Sequence, residues 1–357
     1  MVGTERTEGT EDFPPASMNL YEQQKANIRN TWNVIVVFLF VYLFLGFGFD
    51  YFYLGFNPWS PATNSAIEDA AARATFPLVT VFALLIGSGQ AWWGLRFGDQ
   101  AVLRATGAKP VDAHATDPAT RQLLNVVEEM KIASGLPMPK VYIIPDADLN
   151  AFATGRDPQN ASIAVTQGLL EKLNREELQG VIAHEMSHIR NLDIRLMTTI
   201  AALVGAVILL SDWAMRSMRY GGGGNRSSSS KKGSGGAIIL FVLWLAAVIL
   251  APLLAQILAM AVSRQREYLA DASGAELTRN PAGLASALKK IELAFTPTRS
   301  IKRGSAHLCI ADPLGRKMDL REGLLANLLA THPPMAKRIS ILSRMAYQDP
   351  ASLTKQV

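Results

Sequence analysis

The stretch VIAHEMSHIRN, Val181 to Asn191, places His184 and His188 four residues apart, with Glu185 directly after the first histidine. On a helix, positions i and i+4 share a face, so both imidazoles can point at one metal ion. Glu185 beside them can take a proton from water that the metal activates. Zinc would be useful there because water is a poor nucleophile, and coordination lowers its pKa from ~15.7 to about 7. The competing reading is a pair of structural or incidental histidines, since chance matches to so short a pattern occur across a proteome.

A catalytic zinc site needs a third protein ligand and keeps its fourth position for water. The remaining histidines, His114, His307 and His332, make no H-x-x-G-x-x-H extension just after the pair. A carboxylate is the other option. SRQREYLADASGAEL carries Glu267 with Asp271 four residues on. Glu267 can bind the metal while Asp271, one turn along the same face, orients a ligand histidine. Read alone, these two acids also fit a solvated helix face paired with Arg264 and Arg266.

Several elements must position these groups. In GLLEKLNREELQGVIAHEMSHIRN, Asn174 and Glu177 have the spacing of a capping box, which starts a helix that includes the histidines. DPATRQLLNVVEEMKIASGLP reads as a helix with Asp117 as N-cap, Pro118 at its first position and Gly135 as its stop. KVYIIP and SIAVT are short β-branched runs suited to strands, and LNAFATGRDPQN between them reads as a strand with a turn after Gly155. NPAGLASALKKIELA and HPPMAKRISILSRMA read as capped amphipathic helices.

The hydropathy of the 357-residue chain is uneven. Thr31 to Phe49 and Phe76 to Leu95 are uncharged, each about 20 residues long, enough to cross a hydrocarbon core as a helix. The first begins after a polar arm and lacks a small-x-small cleavage site, so it is expected to stay as an anchor. Lys25 and Arg29 precede this hairpin and Arg96, Arg104 and Lys109 follow it, against Arg73 alone in its loop. By the positive-inside rule both outer segments begin in the cytoplasm. A second hydrophobic pair, Leu196 to Ser211 and Gly233 to Ser263, is unequal in length. The segment RSMRYGGGGNRSSSSKKGSGG that joins them, with its Gly/Ser-rich linker, carries Arg216, Arg219, Arg226, Lys231 and Lys232, which conflicts with that rule: either this hairpin is only partly inserted, or the first spans dominate.

The net charge of +5 lies beside hydrophobic spans rather than on a basic stripe with aromatics, so no nucleic-acid partner is expected. The one cysteine, Cys309, rules out an intramolecular disulfide and favours an open metal site over a structural one, which usually fills all four positions with Cys or His. Neither of the first two spans carries an ionisable residue of the kind a metal transporter needs.

LNAFATG with ASIAVTQGLL, VIAHEMSHIRNLD, SRQREYLAD and the late THPPMAKRI, in this order between about residues 120 and 345, resemble the HtpX-like membrane zinc metalloproteases, relatives of the CAAX prenyl endopeptidase. The resemblance implies that His184, His188 and Glu267 ligate one zinc ion per chain, with Glu185 as base and Asp271 orienting a ligand. It implies that Asn150, Ala151, Phe152, Ala153 and Thr154 form an edge strand to which an extended substrate adds, and that His332 donates to the oxyanion. Arg338 would hold the domain together by an ion pair. The polar arm and the Gly/Ser-rich linker depart from the family's usual pattern, and two short hairpins cannot build the large chamber of the prenyl endopeptidase branch.

The expected fold is α+β and mostly helical, a gluzincin-type protease domain combined with transmembrane helical hairpins. Its parts are a disordered arm (1–30), a transmembrane hairpin (31–96), a first protease segment (97–195), a second hydrophobic hairpin (196–263, linker 220–236) and a second protease segment (264–357). The expected activity is zinc-dependent endopeptidase cleavage of misfolded or damaged membrane proteins, at the cytoplasmic face of a multi-pass protein of the cell (inner) membrane. The expected partners are polypeptides and the lipid bilayer. The alternative is a non-catalytic zinc-containing membrane adaptor or chaperone.

Overall fold

The computed structural model describes residues 20–54, 56, 76–204, 264–294, 308–311 and 333–346. Helix α1 (Leu20–Tyr53) and helix α2 (Leu78–Ala105) form a hairpin. Its turn is closed by Asp50, whose carboxylate accepts from the Val79 N–H at 3.0 Å and the Thr80 N–H at 2.7 Å. The end of one helix thus caps the start of the next, satisfying backbone donors that the first turn of α2 would otherwise leave without partners. Tyr42 donates to Gln90 between the two helices. Val36, Phe40, Phe82, Leu85, Ile86 and Trp92 stay exposed on the hairpin. Apolar side chains turned outward along helices of this length suit lipid, not water.

Residues 20–30 correct the expected disordered arm, because they are the first turns of α1. Their polar residues hide a docked face, in which Gln23, Asn27 and Thr31 are buried against protein. Residues 1–19 lie outside the described residues, as do the rest of the second hydrophobic hairpin beyond residue 204 and its linker. The helix of the second span also runs on past residue 96, since α2 stays helical through Arg96 to Ala105.

The sheet has the order β1-β2-β4-β3, with β1 (Lys109–Pro110), β2 (Lys140–Ile144), β3 (Ala151–Gly155) and β4 (Ala161–Thr166). β2 and β4 are parallel, and the two flanking pairs are antiparallel. Every residue of β4 is buried, as the continuous apolar run SIAVT requires of a strand covered on both faces. Helix α3 (Pro118–Ser134) starts at the Asp117 cap and stops at left-handed Gly135, as its sequence predicts. After the short α4 (Gln167–Lys172) comes α5 (Arg175–Arg190), then helix α6 across 193–204. Helices α7 (Arg264–Thr278), α8 (Pro281–Leu293) and α9 (Met335–Met345) complete the described elements.

One face of the sheet, with Ile163 and Val165, packs with Leu123 and Val127 of α3, Ile182 and Met186 of α5 and Leu288 of α8. The other face, with Ile144, Phe152 and Ala164, packs on Val102 and Leu103 of α2 and Met197 and Ala201 of α6. Helix α6 also meets the hairpin, through Leu196, Ile200, Leu203 and Val204 against Val34, Ile35 and Phe38. The membrane hairpin and the mixed sheet are therefore joined through α6, which follows α5 after a two-residue break. The architecture is mostly helical α+β.

Candidate metal centre

Helix α5 carries the His-Glu pattern, and its start is fixed by the full capping box that the sequence predicts. Asn174 accepts from the Glu177 N–H at 2.9 Å, and Glu177 accepts from the Asn174 N–H at 2.8 Å. Glu177 is further held by Lys290 and Ser286 of α8. Nearly the whole second half of α5 is buried, histidines included. A helix wrapped on all sides can present polar side chains only to other elements of the protein, and here the principal one is α7.

Gly274 lets α7 come that close. A Cβ at this position would lie 3.0 Å from the His184 backbone nitrogen and 3.2 Å from its Cα. Backbone atoms yield little, so any larger residue would push the two helices apart. At this separation Glu267 and Asp271, one turn apart on α7, both reach the histidines. Among the described residues, His184, His188 and Glu267 offer ligand atoms that all lie within 4.8 Å of one another. The two Nε2 atoms are 3.2 Å apart, and each is 3.6 Å from a Glu267 oxygen.

The opposite ring nitrogens face carboxylates. Nδ1 of His184 lies 3.0 Å from Asp271, and Nδ1 of His188 lies 3.0 Å from Asp193. A proton on each Nδ1 leaves a lone pair on each Nε2, and these lone pairs then point at each other and at the Glu267 carboxylate. Three electron-rich groups converging in a buried space repel unless a cation lies between them. Two imidazoles and a carboxylate suit a zinc-like divalent ion with one position left open. The residues fit a metal.

Electrostatics follow from this crowding. Burial opposes protonation of His184, but Asp271 and Glu267 outweigh it and push its pKa up to about 9, so a metal must compete with a proton there. Burial pushes the Glu185 carboxyl up, with the two histidines opposing it. Burial would also raise Asp271, yet the Arg338 guanidinium holds it below the usual carboxylate range. Arg338 of α9, fully buried, grips Asp271 with two donors at 2.7 and 2.8 Å and approaches Glu267 at 3.4 Å. The ion pair expected of Arg338 is thus part of the metal centre's surroundings.

Neither Glu185 oxygen has a well-formed hydrogen bond among the described residues, although the Ala153 N–H of β3 lies close enough to favour its charge. β3 is the outer strand of the sheet, but its edge is not open along its length. Ala151 accepts from the Ile310 N–H at 3.0 Å, Phe152 bridges to Cys309, and the Gly155 N–H donates to Thr198 at 3.1 Å. The Asn150 side chain donates to Ala311 at 3.2 Å. Residues 308–311 therefore line the edge expected to be unpaired, with Arg338 holding Ile310 by its carbonyl at 3.0 Å.

His332 and His307 lie outside the described residues, and His114 is exposed. Pro334, two residues after His332, occupies the N-cap position of α9 without a side-chain capping bond, so the cap expected of this helix is not formed by a side chain. Sequence reasoning missed Asp193, which lies within the quoted VIAHEMSHIRNLD. The available signal was an acid shortly after the second histidine; the obstacle was a turn whose geometry the sequence does not advertise, with Leu192 at φ 60°.

The profile of peptidase family M48 matches residues 118–346. The chain is 42% identical over 326 residues to a protease HtpX homolog of Thermoanaerobacter pseudethanolicus, covering 91% of this chain and 98% of that one. It is 39% identical over 326 residues to a protease HtpX homolog of Streptococcus gordonii, covering 91% of this chain and 100% of the other. The crystal structure of S. mikatae Ste24p is a distant likeness, with TM-score 0.40 and 20% identity over 73% of this chain and 64% of that one. With the family pattern spanning α3 to α9 around a buried two-histidine, one-glutamate cluster beneath an apolar hairpin, the chain belongs to peptidase family M48 and is a membrane-bound metalloprotease.

Proposed function

We propose that the protein is a zinc endopeptidase that cleaves misfolded or damaged membrane proteins at the cytoplasmic face of the cell (inner) membrane. The observation that carries this reading is the junction between the metal cluster and the hairpin. Asn27 of α1, four residues before the uncharged stretch begins, donates at 2.7 Å to the Asp193 carboxylate that faces His188. That junction supports a site at membrane level. The basic residues on both sides of the hairpin support a cytoplasmic orientation.

His184, His188 and Glu267 would hold one zinc ion, which when bound would activate water and polarise the scissile carbonyl. Glu185 would accept the proton of the attacking water on its carboxylate and pass it to the leaving amine, a role that suits a carboxyl raised by burial. Asp271 and Asp193 would keep the imidazoles in the tautomer that leaves Nε2 free for metal. Residues 150–154 would receive an extended substrate at the Ala153 edge beside Glu185, exchanging with the pairing to residues 308–311. His332 would donate to the developing oxyanion. Main-chain recognition tolerates many sequences, which suits a protease that acts on damage rather than on one motif.

The test is co-reconstitution in vesicles with a destabilised membrane protein, against casein in solution. Chelator-sensitive cleavage of the membrane protein in preference to casein, restored by zinc, is the expected result. Casein cut as fast or faster in the same vesicles would contradict the membrane-substrate assignment.

A further inference from the structure

Helix α5 ends at Arg190; the Ser187 and Ile189 carbonyls of its last turn accept from the Asn191 and Leu192 N–H groups, which leaves the Arg190 and Asn191 carbonyls to donors from outside the helix. Two side chains of α1, three residues apart on one face, meet them. Gln24 donates to the Arg190 carbonyl at 2.7 Å, and Asn27 donates to the Asn191 carbonyl at 2.9 Å. The same Asn27 amide donates to Asp193 Oδ1 at 2.7 Å. Asn27 and Asp193 are both buried. The cation that faces the same oxygen, Arg266, stands 3.9 Å away, beyond hydrogen-bond reach.

The bonds to residues 191 and 193 bracket Leu192, whose φ of 60° is a left-handed backbone conformation in a branched, non-glycine residue. Such a conformation is strained in a residue with a Cβ and persists when its surroundings over-determine it. The kink is what turns Asp193 back toward α5, so that its other oxygen, Oδ2, meets His188 Nδ1. One amide on the membrane hairpin therefore fastens both sides of the turn that aims a ligand's carboxylate.

We propose that Asn27 is a positioning residue of the metal centre, acting through Asp193 on His188, so that the membrane hairpin is a working part of the metal site rather than only its anchor. The inference rests on the metal-site reading above. Loss of the Asn27 amide releases Asp193, loosens the tautomer and orientation of His188, and weakens metal binding. Removal of the group that hydrogen-bonds a metal ligand typically costs 10- to 100-fold in metal affinity, and for Asn27→Ala, one contact further out, the low end of that range, about tenfold, is the expected loss.

The experiment uses the full chain in detergent, with zinc affinity measured by chelator competition, cobalt absorption recorded as a geometry signature, and the melting temperature taken without metal. Asn27→Ala should bind zinc about tenfold more weakly and alter the cobalt spectrum. Gln24→Ala, which leaves Asp193 untouched, should not weaken zinc binding. In an Asp193→Asn background, Asn27→Ala should add less than about twofold, because the two act along one path. Asn27→Ser, too short to reach Asp193 but compatible with the buried surface, is read in the same way if the alanine variant does not fold. Wild-type zinc affinity in Asn27→Ala or Asn27→Ser, or an effect confined to the metal-free melting temperature, would overturn the proposal. Absence of zinc binding by the wild type would instead overturn the metal-site reading beneath it.

Discussion

His184 is faced by Asp271 and His188 by Asp193, each carboxylate 3.0 Å from its ring. What stands behind them differs. Asp271 is clasped by the Arg338 guanidinium from α9, a charged, two-pronged contact within the protease half. Asp193 is held by the neutral Asn27 amide from α1, across the boundary with the hairpin. A bidentate arginine stabilises the ionised carboxylate strongly and fixes its plane. An amide fixes direction with little charge. One histidine is therefore locked by the domain itself, and the orientation of the other depends on how the hairpin sits against it.

The largest effect is expected at Arg338. Arg338→Met leaves Asp271 buried without its partner, and losing one member of such a pair costs about 3–5 kcal/mol. A large fall in the metal-free melting temperature is expected; a small one would mean that Asp271 takes up a proton or water with little penalty. Next come the carboxylates themselves. Asp271→Asn and Asp193→Asn should each lower zinc affinity by about 10- to 100-fold, with the greater loss at Asp271, because its change also strands Arg338. Chelator competition on both variants checks the order, and equal losses would erase the distinction between a charged and a neutral support.

The part of this arrangement that the sequence made legible is the local part. The histidine pair on α5, the Asn174–Glu177 box, the Asp117 and Gly135 ends of α3 and the two β-branched strands depend on neighbours within a few residues, where spacing carries the information. Glu267 and Asp271 were legible as candidates because they share a helix face, but their selection over a solvated ion pair needed Gly274 to bring α7 against α5. Asn27 falls in the arm that composition marks as disordered, since a polar helical face docked on protein has the composition of a solvated one. Residues 308–311 carry no strand alternation, so their pairing with β3 follows from tertiary placement alone.

That pairing yields a smaller effect of opposite sign. Ile310→Pro removes the donor to Ala151, a bond of roughly 1 kcal/mol net. If substrate exchanges with residues 308–311 at β3, kcat/KM should rise by up to about fivefold. A fall in kcat/KM with an unchanged melting temperature would show instead that the segment helps to build the substrate site.

The proposed mechanism has Glu185 do proton chemistry beside a metal held by its neighbours. Purified wild type and Glu185→Gln, assayed side by side for bound zinc and for chelator-sensitive cleavage of an unfolded protein, test it most directly. Equal zinc with cleavage lowered by about 10³-fold in the variant is the predicted result. Equal zinc with normal cleavage by Glu185→Gln would contradict it.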